Sequence, residues 1–359
     1  MIKVLHVLTD SNIGGAGTYV ATCLEYCDKL KVRQTVLVPR GSAAIGLMKD
    51  SGAEIIEADI TPDKSLDLKS IFVIRKYIRK GRYDIVHAHG SASARIAARG
   101  LSVSVFTKHT LSQSGGIVNK IVYRGLGGYA IAVSQAAHDN LVDLGFDKRR
   151  IYTVKNGVGD IGVPSRDLHN KCKISFGIGT SKYVVGCVAR FSPEKDYETF
   201  LFSAKKIADK CENAVFLLCG DGALLSDMSS LAKKLGIDKK CYFAGNVFDP
   251  ERAYRAMDVY LICSKHESFG LSLVESWSAG LPSVTSTADG FAEIAVKDKT
   301  TVMCNVGDSE AFANAVVNIY NDKEYAKKLG ESGREQFLDN YSAPAFASAL
   351  TEVYKKLTK

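Results

Sequence analysis

Short apolar runs alternate with amphipathic stretches along the first half of the chain. Runs rich in β-branched residues predict strands that are apolar on both faces, at 4–8, 34–38, 85–86, 103–107 and 130–133. Apolar positions that recur every three to four residues predict helices, at 17–30, 68–81, 91–100 and 134–144. Buried strands that alternate with helices are typical of a doubly wound parallel sheet.

The same alternation starts again in the second half. It predicts strands at 183–188, 214–218, 241–244, 259–262 and 283–285. It predicts helices at 195–210, 222–235, 270–279 and 308–321. Residues 157–181 are poorly periodic, so we place the linker there and divide the chain into 1–165 and 166–341. Two Rossmann-like α/β domains in tandem are expected to face a central ligand cleft, because ligands bind beyond the carboxyl ends of parallel strands.

The composition is that of an ordinary globular protein, with 46% hydrophobic and 24% charged residues in a chain of 359. No apolar run approaches the ~18 residues that a membrane-spanning helix needs. His6 and Asp10 interrupt the first apolar run, which therefore indicates a strand rather than a signal peptide. The nine scattered cysteines fit a reducing cytoplasm. Cys23 and Cys27 share a helix face, and packing explains them better than zinc or redox chemistry.

The net charge is unevenly distributed along the chain. The formal charge of +8 lies entirely in residues 1–165, while the remainder is balanced. This asymmetry indicates that the first half meets an anionic partner.

The segment Glu267-Ser-Phe-Gly-Leu-Ser-Leu-Val-Glu275 follows a predicted buried strand and opens a helix near Gly270. Backbone N–H groups of Phe269, Gly270 and Leu271 at a helix start can hold an anion. Two carboxylates beside them could bind the vicinal hydroxyls of a sugar or a ribose. The alternative is that Glu267 only favours a helix N-terminus and that Glu275 is solvated.

A second candidate lies in Val188-Ala-Arg-Phe-Ser-Pro-Glu-Lys-Asp196, again between a strand and a helix. Arg190 can form two hydrogen bonds to a phosphate, and Lys195 adds a point charge. A diphosphate leaving group needs such neutralisation when no metal is present. A surface turn with incidental charges is the alternative.

The glycine-rich segment Ser11-Asn-Ile-Gly-Gly-Ala-Gly-Thr18 joins the first strand to the first helix, so Gly14 and Gly15 permit close approach to a ligand. The glycine spacing and the absence of an acidic residue after the second strand argue against a nicotinamide site. His109 follows a strand and is expected to point into the cleft, although a structural role fits equally well.

His87 and His89 form a second histidine motif at a strand end. Their spacing can bind a metal. No third ligand is evident from the sequence, so we favour hydrogen bonds from these rings to nearby backbone.

Two basic amphipathic stretches lie in the first half. In 68–82, Leu68, Ile71, Phe72 and Ile78 share one face, and the second stretch is 117–126. Such helices are commonly core helices with solvated charges. The alternative is docking on an anionic bilayer, where each basic residue contributes about 1 kcal/mol.

Taken together, these segments resemble the group-one (family-four) retaining glycosyltransferases of the GT-B fold. The resemblance covers nearly the whole chain in order. It rests on Gly14-Gly15, Tyr83-Asp-Ile-Val-His-Ala-His-Gly90, His109, Ala132-Val-Ser134, Asn156-Gly157-Val158, Arg190 with Lys195, and the E-x7-E segment.

The resemblance implies a role for each candidate residue. Arg190 and Lys195 would hold the donor diphosphate, Glu275 the ribose, and Glu267 the transferred sugar. The backbone of Phe269-Gly270-Leu271 would lie near sugar and phosphate, Gly15 would approach the diphosphate, and His109 would face the reacting centre. The last helix, about 342–357, would pack back on the N-terminal domain. Asp289-Gly290-Phe-Ala-Glu293 departs from the family's Gly-Gly-x-x-Glu loop, so a donor contact there is less secure.

We therefore expect a retaining hexosyltransferase that needs neither metal nor cofactor and takes a nucleotide-diphosphate sugar, with a UDP-sugar favoured. The acceptor would be a saccharide, preferably lipid-linked, as in cell-surface polysaccharide assembly. The alternatives are a GT-B nucleotide-sugar epimerase, a phosphorylase, or an inactive sugar-nucleotide-binding module at a membrane surface. The expected location is cytoplasmic, with a peripheral position on the inner face of the membrane as an extension of it. No nucleic-acid partner is expected.

Overall fold

The computed structural model describes residues 1–9, 15–109, 125, 127–247 and 249–359. The chain forms two compact units. Unit 1 comprises Met1–Gly157 with Ala343–Lys359, and unit 2 comprises Val158–Ser342. The boundary therefore lies at residue 157 rather than 165, at the start of the segment that the sequence assigns to a linker.

Unit 1 contains one fully parallel sheet of seven strands. The strands are β1 (Ile2–Leu8), β2 (Val32–Pro39), β3 (Glu54–Ala58), β4 (Ile85–His89), β5 (Val103–Lys108), β6 (Tyr129–Ala132) and β7 (Ile151–Thr153). Their order in the sheet is β3-β2-β1-β4-β5-β6-β7. The helices described between them are α1 (Gly15–Tyr26), α2 (Ile45–Met48), α3 (Leu68–Gly81), α4 (Ala92–Ala98) and α5 (Gln135–Asp143).

Unit 2 contains a parallel sheet of six strands. The strands are β8 (Tyr183–Val188), β9 (Ala214–Cys219), β10 (Cys241–Gly245), β11 (Val259–Ile262), β12 (Ser283–Ser286) and β13 (Val302–Cys304). The helices are α6 (Arg166–Ser175), α7 (Tyr197–Lys210), α8 (Leu225–Lys234), α9 (Pro250–Ala256), α10 (Leu271–Ser278), α11 (Asp289–Ile294), α12 (Ser309–Asn321) and α13 (Lys323–Asn340). The last helix, α14 (Ala343–Leu357), belongs to unit 1.

The two sheets share one topology. In unit 2 the order is β10-β9-β8-β11-β12-β13. Strands β9 and β10 are added on one side of β8, and β11 to β13 are added on its other side, so the order of strand addition reverses between β8 and β11. The same reversal occurs between β1 and β4 in unit 1. These reversals are the switch points at which doubly wound sheets bind ligands. The predicted fold of two doubly wound parallel sheets is confirmed.

Aspartate caps begin four helices of unit 2. Each side chain accepts a hydrogen bond from a backbone N–H in the first turn of its helix, at Asp196, Asp249, Asp308 and Asp322. Such a cap stabilises a helix by roughly 1 kcal/mol. Asp196 also has a positive φ of 49°, so it turns the chain sharply from the β8 loop into α7.

Several elements differ from the sequence prediction. The edge strands β3, β7 and β13 were not predicted, nor were the helices α9, α11 and α13. Helix α6 lies inside the supposed linker; its sequence is mainly polar, and its buried residues are Cys172 and Lys173. On α3 the buried positions are Ser70, Ile74 and Ile78, so Ile78 is the one residue of the predicted apolar face that is buried.

The structure describes one of the two basic amphipathic stretches that the sequence predicts. Leu68 and Phe72, expected on the apolar face of α3, are each 73% exposed. The second stretch, 117–126, lies almost wholly outside the described residues. Within the parts of the chain that the structure describes, no helix combines the length and the apolar character that crossing a bilayer requires.

Candidate active site

The charged residues of unit 2 converge at the switch point of its sheet. Strand β8 ends at Val188 and leads into the loop that carries Arg190 and Lys195, and the neighbouring β11 leads into the loop that carries Glu267. Because both strands are parallel, both loops lie beyond the same edge. The topology therefore brings together two segments that are more than seventy residues apart in sequence.

Lys195 and Glu267 form a direct ion pair. The Nζ atom of Lys195 donates to Oε2 of Glu267 at 2.5 Å, and both side chains are largely buried, with 17% and 13% of their surface exposed. A charge-assisted hydrogen bond of this kind is stronger than a neutral one. It holds the ammonium and the carboxylate side by side, where one can contact a phosphate and the other a hydroxyl.

Arg190 extends from the same loop and is exposed. Over the described residues its guanidinium has no carboxylate within ion-pair distance. Its five N–H donors are therefore available to an anionic ligand.

Helix α10 begins without a side-chain cap. Gly270 precedes it with a left-handed backbone at φ 98°, and its carbonyl accepts from the N–H groups of Leu273 and Val274. Within the described chain no hydrogen-bond acceptor is assigned to the N–H groups of Leu271 and Ser272. Two donors at a helix start are thus directed to the edge that holds Lys195.

The loop before α10 packs closely on α11. A Cβ atom on Gly270 would lie 2.7 Å from the Phe291 ring, and one on Gly290 would lie 2.6 Å from the Phe269 backbone nitrogen. The N–H of Gly290 donates to the Glu267 carbonyl at 3.0 Å. The segment that departs from the family pattern therefore fixes the Glu267 loop through its glycine. The Phe269 side chain is buried against Tyr341, and only its backbone remains a candidate for ligand contact.

Replacing Gly270 by alanine is expected to destabilise the protein by about 2–4 kcal/mol, because a strained φ is combined with a steric clash. Gly307→Ala is the matched control, since Gly307 also has a positive φ of 80° but has open space around it. Urea unfolding measures both variants. Equal losses in the two would show that contact with Phe291 is unimportant.

Glu275 lies one turn into α10 and is held by a tyrosine that sequence reasoning missed. The Tyr254 hydroxyl on α9 donates to Oε2 of Glu275 at 2.5 Å. Burial raises the pKa of Glu275 from 4.5 to about 7, while the Tyr254 hydrogen bond opposes that rise and the charge of Glu251 adds to it. The residue as a whole is partly buried, so some of its surface remains accessible to a ligand.

A second glycine pair was also missed. Gly220 and Gly222 follow β9, and Cβ atoms on them would lie 2.0 Å from the Ala189 carbonyl oxygen and 2.5 Å from that of Phe191. Phe191 also donates its N–H to the Asp221 carbonyl at 2.9 Å. The Gly-x-Gly after a buried strand was a usable signal, since it marks a close approach of two backbones.

In unit 1, His109 belongs to a buried cluster. His6, His87 and His89 lie on the adjacent strands β1 and β4, and His109 follows β5. The Nδ1 atom of His87 lies 2.6 Å from the Tyr354 hydroxyl, and its Nε2 lies 2.6 Å from Oγ1 of Thr107.

The expectation for His87 and His89 was therefore wrong in two respects. Their partners are side chains rather than backbone, because the strands use the backbone groups in the sheet. His6 supplies the third potential metal ligand, which was not evident from the sequence because His6 lies more than eighty residues from His87. Ring nitrogens of His6, His87 and His89 all lie within 4.8 Å of one another. Each of these rings has protein hydrogen-bond partners.

The glycine-rich loop is only partly described. Gly15 is exposed and begins α1 directly after this loop, whereas Gly14 lies outside the described residues. The structure thus places Arg190, Lys195, Glu267, Phe269, Gly270, Leu271 and Glu275 in unit 2, and Gly15 and His109 in unit 1.

A cavity of about 830 Å³ opens at the opposite edge of the unit 2 sheet, near the start of β8 and β11. Two of its cations are already neutralised. Lys173 pairs with Asp258 at 2.8 Å, and Arg334 pairs with Asp160 at 2.8 Å. The cavity is distant from the switch-point residues, so we assign the candidate site to the charged edge instead.

Two doubly wound parallel-sheet units define a protein of the GT-B fold, and the second unit carries a cation–carboxylate pair and an uncapped helix start at its switch point. Sequence profiles support this class: one described as glycosyl transferases group 1 matches residues 170–336, and one described as glycosyltransferase family 4 matches residues 13–160. The chain belongs to the group 1 glycosyltransferases.

Individual relatives agree with this assignment. An N-acetyl-alpha-D-glucosaminyl L-malate synthase from Bacillus anthracis is 26% identical over 62% of this chain and 58% of its own length. The UDP-Gal:alpha-D-GlcNAc-diphosphoundecaprenol alpha-1,3-galactosyltransferase of Escherichia coli is 28% identical over 72% of this chain and 71% of its own. The crystal structure of Anabaena Alr3699/HepE in complex with UDP and glucose has a TM-score of 0.86 at 19% identity, covering 99% of this chain and 100% of that one.

Proposed function

We propose that this protein is a retaining glycosyltransferase that moves a sugar from a UDP-sugar to a hydroxyl group of a lipid-linked saccharide. The Lys195–Glu267 pair at the switch point of unit 2 carries the proposal. It offers a cation for the diphosphate and a carboxylate for sugar hydroxyls within one hydrogen-bond length of each other.

In the proposed reaction, the bond between the sugar's anomeric carbon and the donor phosphate breaks, and the acceptor oxygen attaches to the same face. The departing phosphate oxygen takes the proton of the acceptor hydroxyl. Arg190 and Lys195 stabilise the negative charge that develops on the phosphate. Glu267 holds the transferred sugar, and Glu275 accepts hydrogen bonds from the ribose hydroxyls.

The choice of donor and acceptor rests on the relatives. The Escherichia coli relative is named for a UDP-galactose donor and a diphosphoundecaprenol-linked acceptor, and the Anabaena structure contains UDP and glucose. The Bacillus anthracis relative is named for L-malate, so a small hydroxy acid is the competing acceptor class.

The experiment is incubation of the purified protein with a panel of UDP- and GDP-sugars and an undecaprenyl-diphosphate-linked saccharide. We expect free UDP in equal amount to a new α-glycoside, whose configuration NMR coupling constants report. A β-glycoside would contradict retention. Interconversion of donors without acceptor would indicate an epimerase, consumption of phosphate a phosphorylase, and no turnover with any donor an inactive binding module.

We expect the transfer rate to survive removal of divalent cations by EDTA, because two side-chain cations supply the neutralisation. The measurement compares initial rates before EDTA, after EDTA and after addition of Mg²⁺ or Mn²⁺. A rate that falls more than tenfold with EDTA and returns with the metal would contradict metal independence.

A membrane-facing surface is proposed on α3. Leu68 and Phe72 are one turn apart and exposed, and Lys69, Lys76 and Lys80 share the helix. Exposed apolar side chains among basic ones fit an anionic bilayer, which a lipid-linked acceptor would require.

The double variant L68S/F72S is expected to lose most of its flotation with vesicles that contain anionic lipid. Phe202→Ser is the matched control, because Phe202 is an exposed aromatic residue on a helix of unit 2. Flotation of the wild type that is equal with and without anionic lipid, or undiminished in the double variant, would refute the surface.

A further inference from the structure

The cavity at the opposite edge of the unit 2 sheet has no role in the proposed reaction. Its volume of about 830 Å³ lies within the range of roughly 300–1,000 Å³ that is typical of small-molecule sites. All of its lining residues lie between 163 and 334, so the cavity belongs to unit 2 alone. Residues at or directly before the starts of β8, β11 and β12 line it, together with residues of α12 and α13.

Basic side chains outnumber acidic ones in the lining of this cavity, by five to two. Three of the five are paired with carboxylates. Lys173 and Arg334 form the pairs at 2.8 Å described above, and Nζ of Lys327 lies 3.8 Å from a carboxylate oxygen of Glu331. A ligand has to compete with these carboxylates for the three cations, so the other two basic residues decide the charge that the cavity offers.

Lys182 and Lys323 are these two residues. Across the described parts of the chain, neither ammonium group has a carboxylate within ion-pair distance. Lys182 is half-buried, and its backbone carbonyl accepts a hydrogen bond from the buried Nζ of Lys173 at 2.8 Å, which fixes the start of β8. Lys323 is exposed at the first position of α13. Two cations without a counter-charge beside one cavity attract an anion.

Two tyrosines provide an aromatic wall in the same cavity. The rings of Tyr183 and Tyr320 pack edge to face, with centroids 4.9 Å apart and an angle of 86° between the ring planes. Pro282 and Ala326 add apolar surface to the lining. Both tyrosines are partly exposed, and among the described residues neither hydroxyl has a hydrogen-bond partner. The cavity therefore combines apolar contact area with polar groups that a ligand can reach.

We propose that this cavity is a second binding site, which takes a small organic anion consisting of an aromatic body and a phosphate or carboxylate group. The acidic group pairs with the ammonium groups of Lys182 and Lys323, and the aromatic body contacts Tyr183 and Tyr320. The cavity lies at the edge of the sheet opposite to the candidate active site, so this ligand is not a substrate of the proposed transfer. The inference therefore does not rest on the proposed function.

Two simpler classes of ligand compete with this proposal. A neutral aromatic molecule would contact the tyrosines but would leave the charges of Lys182 and Lys323 unmatched. An inorganic anion would match the charges but would leave the aromatic wall in contact with water. An organic anion satisfies both parts of the cavity, and a probe with and without its acidic group can therefore separate the three classes.

The test is a fluorescence titration of the full chain with 8-anilinonaphthalene-1-sulfonate and with N-phenyl-1-naphthylamine, the same aromatic body without the sulfonate. We expect the anion to bind at a single site with a Kd on the order of 10–100 µM, the usual range for a molecule of its size. The neutral analogue should bind about tenfold more weakly, the value of one charge-assisted hydrogen bond. Equal affinities for the two probes, or no saturable binding of the anion, would overturn the proposal.

Paired substitutions locate the bound probe. The double variant K182Q/K323Q is expected to weaken binding of the anion about tenfold and to leave the neutral analogue unaffected. K171Q/K328Q is the matched control, because Lys171 and Lys328 are exposed residues of α6 and α13 that do not line the cavity. Equal weakening in the two double variants would show a general effect of net charge and would refute the site.

Ala326→Phe fills the cavity and is expected to abolish binding of both probes. If that variant does not fold, the lysine variants still decide the matter, because neither lysine is part of the core. Displacement of the anionic probe by UDP would place it in the candidate active site and would contradict a second site. Displacement by phenyl phosphate or by benzoate is expected and identifies the acidic group, whereas displacement by neither would refute the ligand class. Failure of sugar transfer would leave all of these results unaffected.

Discussion

Replacing Lys195 by alanine is expected to lower kcat by about 10²–10³, the usual effect of removing one stabilising group from a developing oxyanion. The loss has two causes. The diphosphate loses a cation, and the Glu267 carboxylate loses its partner at 2.5 Å, so the sugar-binding group is no longer held in place. Arg190→Ala is expected to have an effect of similar size. Because Arg190 is exposed, that loss should occur with little change in stability.

Lys206→Ala is the matched control for Lys195→Ala. Lys206 pairs with Glu310 at the same distance of 2.5 Å, but both side chains are exposed and lie away from the switch point. An exposed pair of this kind contributes at most ~1 kcal/mol to stability. Rate measurements at saturating donor, together with thermal unfolding, compare the three variants. Near-normal rates for both Lys195→Ala and Arg190→Ala would refute the assignment of the diphosphate site.

Glu275→Gln is expected to stabilise the fold and weaken donor binding at the same time. A carboxyl whose pKa rises from 4.5 to about 7 on folding binds more protons when folded, so stability decreases as the pH rises between these values. The penalty is absent below pH 4.5 and complete above pH 7. Its upper bound is about 3 kcal/mol. The glutamine variant is therefore expected to be more stable than the wild type at pH 8, and the difference should shrink at pH 5.

Binding should show the opposite trend with pH. The ionised Glu275 accepts ribose hydroxyls better than the protonated form, so wild-type affinity for a UDP-sugar is expected to rise from pH 6 to pH 8. In Glu275→Gln this step should disappear. Calorimetric titration measures affinity, and urea unfolding measures stability. Glu310→Gln is the control, because Lys206 lowers the pKa of Glu310 and its pH dependence has the opposite sign. An unaltered pH step in Glu275→Gln would contradict the role of Glu275.

The central strands and the loops after them could be predicted because strands buried on both faces consist of continuous runs of apolar residues. Such runs are followed by the loops that carry Arg190, Lys195 and Glu267, and Glu275 lies in the helix after one of these loops. Their position at one sheet edge was therefore foreseeable. The edge strands β3, β7 and β13 contain half-exposed or exposed residues and lack that signal. Helix α6 was missed because its sequence is mainly polar.

Partners that are distant in sequence could not be predicted. Nothing near Glu275 indicates that Tyr254 on another helix donates to its carboxylate. In the same way, His6 and Gln34 look like ordinary strand residues until the sheet places them beside His89. These contacts depend on which elements lie next to each other in the fold, and the hydrophobic pattern of the sequence does not specify that order.

The placement of α14 has a consequence for biosynthesis. Residues of α14 complete the interior of unit 1, where the Tyr354 hydroxyl contacts His87 at 2.6 Å and the Ala347 carbonyl accepts from Cys27. On the ribosome, all of unit 2 is synthesised between the two parts of unit 1. Unit 2 can therefore reach its native state first. The part of unit 1 that is translated earlier cannot complete its core until α14 has been synthesised.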